Sequence, residues 1–307
     1  MGRFIIIRLL QSVVALVGIS VFIFILVRAA GDPTILMRSS QTSEEDAQNI
    51  RVELGLDKSQ PEQYWIFVTS LIHGDLGDSL IKRKPVTEMI MAALPNSLKL
   101  VLASFGLSML TALLLGVLGA TRRDTWLDNG VKFIAILGQA VPNFWLAIAA
   151  IYIFSVVLEL LPTSGTGSLA HFVLPVGTLA FWILPGIMRL IRSSMLDVLD
   201  SEYIKLARIK GLPEGKIIWK HALRNALIAP LTAAGFIFAM LITGTAVIET
   251  VFSWPGVGRL TVEAVMGLDF PIVQGVTLMV AVIVLTVNLL VDILYAYIDP
   301  QIRYQRT

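Results

Sequence analysis

The sequence predicts an all-α, polytopic membrane protein with six transmembrane helices. Three observations carry this reading. Of 307 residues, 56% are hydrophobic and only 15% charged, with a mean hydropathy of +0.78, whereas a soluble chain of this length needs more charge to cover its surface. Apolar runs of about 20 residues, enough to cross a bilayer, recur at 9–29, 98–120, 133–157, 172–191, 228–251 and 272–298. Lys and Arg concentrate in alternate connections, as the positive-inside tendency requires.

The first run follows Arg3 and Arg8 and is too long for the core of a signal peptide, so it reads as a retained span. Residues 30–97 then form an external segment. "SEEDAQNIRVELGL" opens with a Ser and acids, and "PEQYWIFVTSLIHG" has Pro and Glu ahead of an apolar face, so two or three short cap helices are expected. Its Lys82, Arg83 and Lys84 do not conflict with an external location, because long loops cross largely regardless of charge. The second and third spans are joined by a segment carrying Arg122, Arg123 and Lys132. Pro175 and Pro185 make the fourth span the least secure, and five spans with a re-entrant segment is the alternative. The connection 192–227 is the most basic, 158–171 has no Lys or Arg, and 252–271 has only Arg259. Both termini are therefore expected in the cytoplasm. The whole chain reads as one membrane domain embedded in lipid.

The search for catalytic chemistry excludes more than it finds. No cysteine is present, which removes disulfides, thiolate nucleophiles and Cys-based metal sites. His73, His171 and His221 sit in separate connections without metal-ligand spacing, so no metal is expected. "GLPEGKI" lacks the glycine spacing and the hydroxyl residue of a phosphate loop, and no nucleophile elbow occurs. A formal charge of +2 gives no ground for a nucleic-acid partner. The chain is expected not to be an enzyme, and any energy source to lie on another chain.

Ionisable and amide groups inside spans are the functional candidates. Glu249 and Asp292 are acids near span ends. Asp292 either pairs near the interface or serves as a relay in a carrier driven by an ion gradient. Gln139 and Asn143 flank Pro142 and either line a wet pathway or bond to neighbouring helices. In "ETVFSWPGVGRL", Trp254 and Pro255 form a turn that places an aromatic at headgroup depth.

Glu202–Asn225 holds six Lys and Arg around a Gly-Leu-Pro break. Lys216, Lys220 and Arg224 recur every four residues, lining one face of a helix that hugs an anionic leaflet. Glu202 to Lys210 should be a separate short helix, closed by Gly211 and stopped by Pro213, with Leu206, Ala207 and Ile209 as its apolar side. That shape suits either docking to another protein or anchoring.

"KLARIKGLPEGKIIWKHALRNALIAP", "VIETVFSWPGVGRLTVEAV", "DFPIVQG", "NLLVDILYAYIDPQIR", "LGLDKSQPEQY", "GDLGDSL" and "PVTEMI" together resemble the B-type permeases of the dipeptide/oligopeptide branch of ATP-binding-cassette importers, over nearly the whole chain. Of the general Glu-Ala-Ala-x3-Gly motif of such permeases, only Ala207 and Gly211 match. The resemblance implies a type I ABC importer permease fold in a bacterial or archaeal plasma membrane, forming half of a pathway that alternates its access. It implies that 192–227 carries the coupling helix, with Glu202 at its start. Ala207, Gly211, Leu212 and Pro213 would be the geometric core, Leu206 would lie on its apolar side, and Lys205, Arg208 and Lys210 would be the polar rim. The implied partners are a second, different permease chain, two ATPases carrying ATP and Mg, and an extracytoplasmic binding protein met near Trp254 and Pro255. The implied cargo is a di- or oligopeptide, although nickel and glutathione permeases share the branch.

Overall fold

A computed structural model describes residues 2–30 and 57–298, and the cap helix expected within 43–56 lies outside them. The described residues are helical, with one isolated antiparallel bridge between Asp78 and Pro85. In chain order the helices are α1 (Gly2–Ala30), α2 (Gln60–Ile72), α3 (Val86–Thr121), α4 (Trp126–Ala140), α5 (Asn143–Ala150, prolonged by a π-helical stretch Ile151–Val157) and α6 (Ala170–Leu199). There follow α7 (Glu202–Ile209), α8 (Glu214–Lys216), a second π-helical stretch Ile217–Ala222, α9 (Leu223–Ala226), α10 (Ile228–Gly244), α11 (Ala246–Val251), α12 (Val257–Met266) and α13 (Phe270–Ile298).

Five stretches are long and apolar enough to cross a membrane, and a sixth crossing exists if the bent pair α4–α5 counts as one. The bend is 103° and falls at Val141–Pro142, inside the run 133–157 that reads as continuous in the sequence. Its cause is local. Val141, which precedes Pro142, is extended at φ −95° and ψ 120°, as the clash with the proline ring demands. Pro142 then starts α5, its carbonyl accepting from Leu146 N at 3.0 Å.

The opposite outcome holds at α6, where Pro175 and Pro185 sit inside an unbroken 30-residue helix. It is the most buried of the spanning stretches. Its neighbours pack closely: Gly138 of α4 lies so near that a Cβ there would come within 2.4 Å of Pro185 Cγ, and Gly116 of α3 likewise admits Ile191.

The second span also differs from its sequence reading. α3 begins at Val86 rather than near 98 and runs 36 residues, about 54 Å, so "PVTEMI" leads directly into the span. The second expected cap helix is α2, capped by Ser59 and Glu62.

Contacts divide the chain into two compact units, 1–96 with 255–289 and 97–254 with 290–307. In the first, Val86, Ile90, Val257, Leu260, Ile272 and Val276 form one core, and Ile23, Val27, Phe270 and Leu278 another. In the second, Met188, Ile191, Met195, Ile204, Ile217 and Ala222 pack together. Leu100, Leu179, Leu241, Phe252 and Trp254 form a further cluster.

Candidate functional site

The Gly-Leu-Pro break is built as a rigid corner. α7 ends at Ile209, and Gly211 adopts φ +77°, a conformation glycine reaches without penalty. Gly211 N donates to Arg208 O at 2.9 Å and Leu212 N to Ala207 O at 3.3 Å. These are the two bonds of a Schellman closure, which satisfies carbonyls the helix end would otherwise leave bare. Pro213 starts the next turn, with Ile217 N donating to its carbonyl at 3.1 Å. Arg208 reaches across the corner to Glu214, Nη2 to Oε1 at 2.9 Å, and Lys205 pairs with Glu202 at 2.8 Å. Hydrogen bonding to Glu202 raises the Lys205 pKa, and hydrogen bonding to Glu214 raises that of Arg208, so both remain cationic.

One side chain fastens α7 to the protein. Ile204 is wholly buried beside Met195, Leu199 and Ile217, a burial that contributes roughly 1.5–3 kcal/mol. Asn225 Nδ2 adds a bond to Tyr203 OH at 2.7 Å. The apolar side expected from the sequence is split: Ala207 and Leu212 pack inward, whereas Leu206 and Ile209 are 56% and 81% exposed. Two bare aliphatic side chains thus project from a short helix tied at Tyr203 and Ile204. Between this corner and the end of α3 lies a cleft of about 540 Å³, lined among others by Arg122, Arg123, Asp200, Arg208 and Glu214.

The basic stripe that follows is not spaced as α-helical periodicity predicts, because Ile217–Ala222 is π-helical. Its i→i+5 pattern pairs Ile217 with Ala222 on the buried side. Lys216, Lys220 and Arg224 remain exposed nonetheless.

The bend of α4–α5 creates a second feature. Gln139 is exposed and lines a groove of about 620 Å³ with Gly138, Trp182, Gly186, Ile237 and Met240. Asn143 is the first residue of α5 and stands beyond the groove's lining. Asp292 is half-buried on α13. Glu249 is wholly buried and accepts from Ser97 Oγ at 2.7 Å. Trp254, expected to meet an external partner, lies in the core of this chain. Trp254 is 1% exposed, stacked edge-on against Phe172 at 4.5 Å, because the left-handed Ser253 turns it into the core. Pro255 alone is exposed, and its carbonyl accepts from Asn96 Nδ2 at 3.0 Å.

Two buried carboxylates escaped the sequence reading. Asp128 is bound bidentately by Arg192, at 2.7 and 2.9 Å, and by Lys132 at 2.8 Å, joining α4 to α6. Asp269, in "DFPIVQG", accepts from Ser79 Oγ and from Leu80 N at 3.1 Å and Ile81 N at 3.3 Å. Arg192 and Lys132 count as positive-inside charges in the sequence; Asp128 and Lys132 stand four apart on α4, the spacing of a helical ion pair, whereas nothing local links Asp128 to Arg192, 64 residues away. Among the described residues no group of His, Asp and Glu is arranged to hold a metal ion.

A family model for the inner membrane component of binding-protein-dependent transport systems matches residues 112–304, and its N-terminal companion matches 1–101. The chain is 40% identical over 306 residues to a peptide transport system permease protein of Brucella abortus, covering 97% of this chain and 98% of that one. It is 39% identical to the oligopeptide transport system permease protein AppB of Bacillus subtilis, covering 99% and 100%. It is 36% identical to the glutathione transport system permease protein GsiC of Escherichia coli, again covering 99% and 100%. The fold resembles that of an amino acid ABC transporter at a TM-score of 0.57, 15% identity and coverage of 69% and 94%. It also resembles the MetNI methionine ABC transporter at 0.55, 18% and coverage of 69% and 96%. The chain belongs to the family of inner membrane components of binding-protein-dependent transport systems, the permeases of ABC importers.

Proposed function

We propose that this permease imports di- or oligopeptides. It works beside a second, different permease chain, with an extracytoplasmic binding protein and two ATPases that carry all the ATP and Mg. The chain itself catalyses no reaction, and both termini lie in the cytoplasm. The observation that carries the mechanistic part is the corner at Gly211. Leu206 and Ile209 protrude from a helix tied down by Ile204 and closed by two backbone bonds, which suits seating in a cleft of an ATPase. A rigid knob transmits displacement, whereas a floppy one absorbs it. When the ATPases close on ATP, a pull on α7 reaches α6 directly, because Ile204 packs on Met195 and Leu199. The groove beside Gln139 lies on the same helix through Trp182 and Gly186, so the pull biases a two-state pathway.

The names of the relatives support a peptide cargo, and glutathione, itself a short peptide, is the second reading favoured by GsiC. Uptake by the complete transporter in proteoliposomes, with ATP inside and the binding protein outside, tests both. Oligopeptide uptake that requires ATP is the expected result, and selective glutathione uptake would favour the second reading. Transport driven by an ion gradient without ATP would overturn the proposal.

A further inference from the structure

We propose that α2 is an interfacial helix whose outer face, Trp65, Ile66 and Ile72, is occupied by lipid. α2 is fastened to α1 by one face. Tyr64 OH meets Ser20 Oγ at 2.9 Å, Phe24 contacts both Tyr64 and Phe67, and Leu71 packs on the cluster of Ile23 and Val27. The opposite face carries Trp65 at 69% and Ile72 at 77% exposure on one flank and Ile66 on the other, with Thr69, and at the helix ends Glu62 and His73, between them.

Depth decides what covers that face. The apolar run of α1 is Ile5–Ala29, 25 residues, and a hydrocarbon core takes up about 20 of them. Wherever that window is laid, Ser20 lies within it, at least four residues or about 6 Å from the edge nearer Ala29. Tyr64 shares this level through its bond to Ser20, and Trp65 follows it in the chain. Amphipathic helices bury their apolar faces about 5–10 Å into the headgroup and acyl boundary, and Trp favours that zone. On α1, Phe22 and Ile25 are exposed at the same level as Ser20 and Phe24, on the side of the helix turned away from α2. The start of α2 is fitted for such a position, because Glu62 accepts from both Ser59 N and Ser59 Oγ.

The chain contains no cysteine, so single nitroxide labels can be placed on it without removing native thiols, and the complete transporter is assembled in lipid nanodiscs with cysteine-free partner subunits. Trp65→Cys, Ile66→Cys and Ile72→Cys would be compared with Phe22→Cys on the span and Lys84→Cys on an exposed loop. Power saturation with oxygen and with a water-soluble nickel chelate should give oxygen-dominated collisions at 65, 66 and 72, as at 22, and nickel-dominated collisions at 84. Nickel-dominated collisions on α2 would mean that water bathes the face and would overturn the proposal. Collisions with neither reagent would mean that protein covers it, either residues 31–56 or another subunit, and would overturn it equally. If Trp65→Cys impairs insertion, Ile66→Cys and Ile72→Cys carry the same test.

Discussion

Asp269 holds Ser79: the serine hydroxyl and the amides of Leu80 and Ile81 all donate to one buried carboxylate 190 residues away in sequence. This bond set ties the loop between α2 and α3 to the start of α13. Asp269→Ala strands three donors, and each buried unsatisfied group costs about 1–3 kcal/mol. Asp269→Asn keeps an acceptor and should lose less. Thermal unfolding of the purified transporter should rank wild type above Asn above Ala, with faster tryptic cleavage at Lys82–Lys84 in the same order.

Asp128 and Arg192 bolt α4 to α6. Breaking such a pair from one side leaves a buried charge and costs about 3–5 kcal/mol, whereas removing both ends can be nearly neutral. Asp128→Leu and Arg192→Met should each destabilise strongly. The double variant should recover much of the loss, read as a coupling energy in a double-mutant cycle.

Gly211 offers a graded test of the coupling corner. Nothing lies within 4 Å of a Cβ built there, so substitution costs backbone strain alone, about 1–2 kcal/mol for Ala in the left-handed region. Asn tolerates that region better, and Pro cannot enter it. Peptide uptake per ATP hydrolysed should fall in the order Gly, Asn, Ala, Pro at equal membrane insertion. Unchanged coupling in Gly211→Pro would sink the proposed role.

Gly138 and Pro185 bring α4 and α6 together beside the groove. Gly138→Ala overpacks this contact, which typically costs about 1–3 kcal/mol. Pro185→Ala in the same chain should restore part of the melting temperature by vacating the space the new methyl needs.

Glu263 makes the attachment of the 79–85 loop pH-dependent. Partial burial pushes its carboxyl up, but Lys82 and Arg259, at 3.3 and 2.8 Å, outweigh that and hold its pKa below the ordinary 4.5. A lowered folded value means that the ion pairs stabilise above pH 4.5 and that this stabilisation is lost as pH falls through the lowered value. Hydrogen exchange of the 79–85 peptide, corrected for intrinsic rate, should therefore rise on acidification below that point. Lys82→Met should flatten the profile.

Composition and the length of apolar runs suffice for the membrane class, because bilayer thickness acts on each segment separately. The short helix Glu202–Ile209 and its glycine closure are equally legible, since capping is decided within a few residues. Three prolines show where local reading ends. Pro142 breaks its helix while Pro175 and Pro185 do not. All three lack the same backbone donor, yet the chain bends at Pro142 and stays helical at Pro175 and Pro185, where Gly138 packs closely against Pro185. The same holds for Trp254, which turn chemistry places at an interface and the core swallows, and for Asp128 and Asp269, whose partners lie 64 and up to 190 residues away. Burial and long-range pairing depend on which surfaces meet, and no local spacing in the chain encodes that.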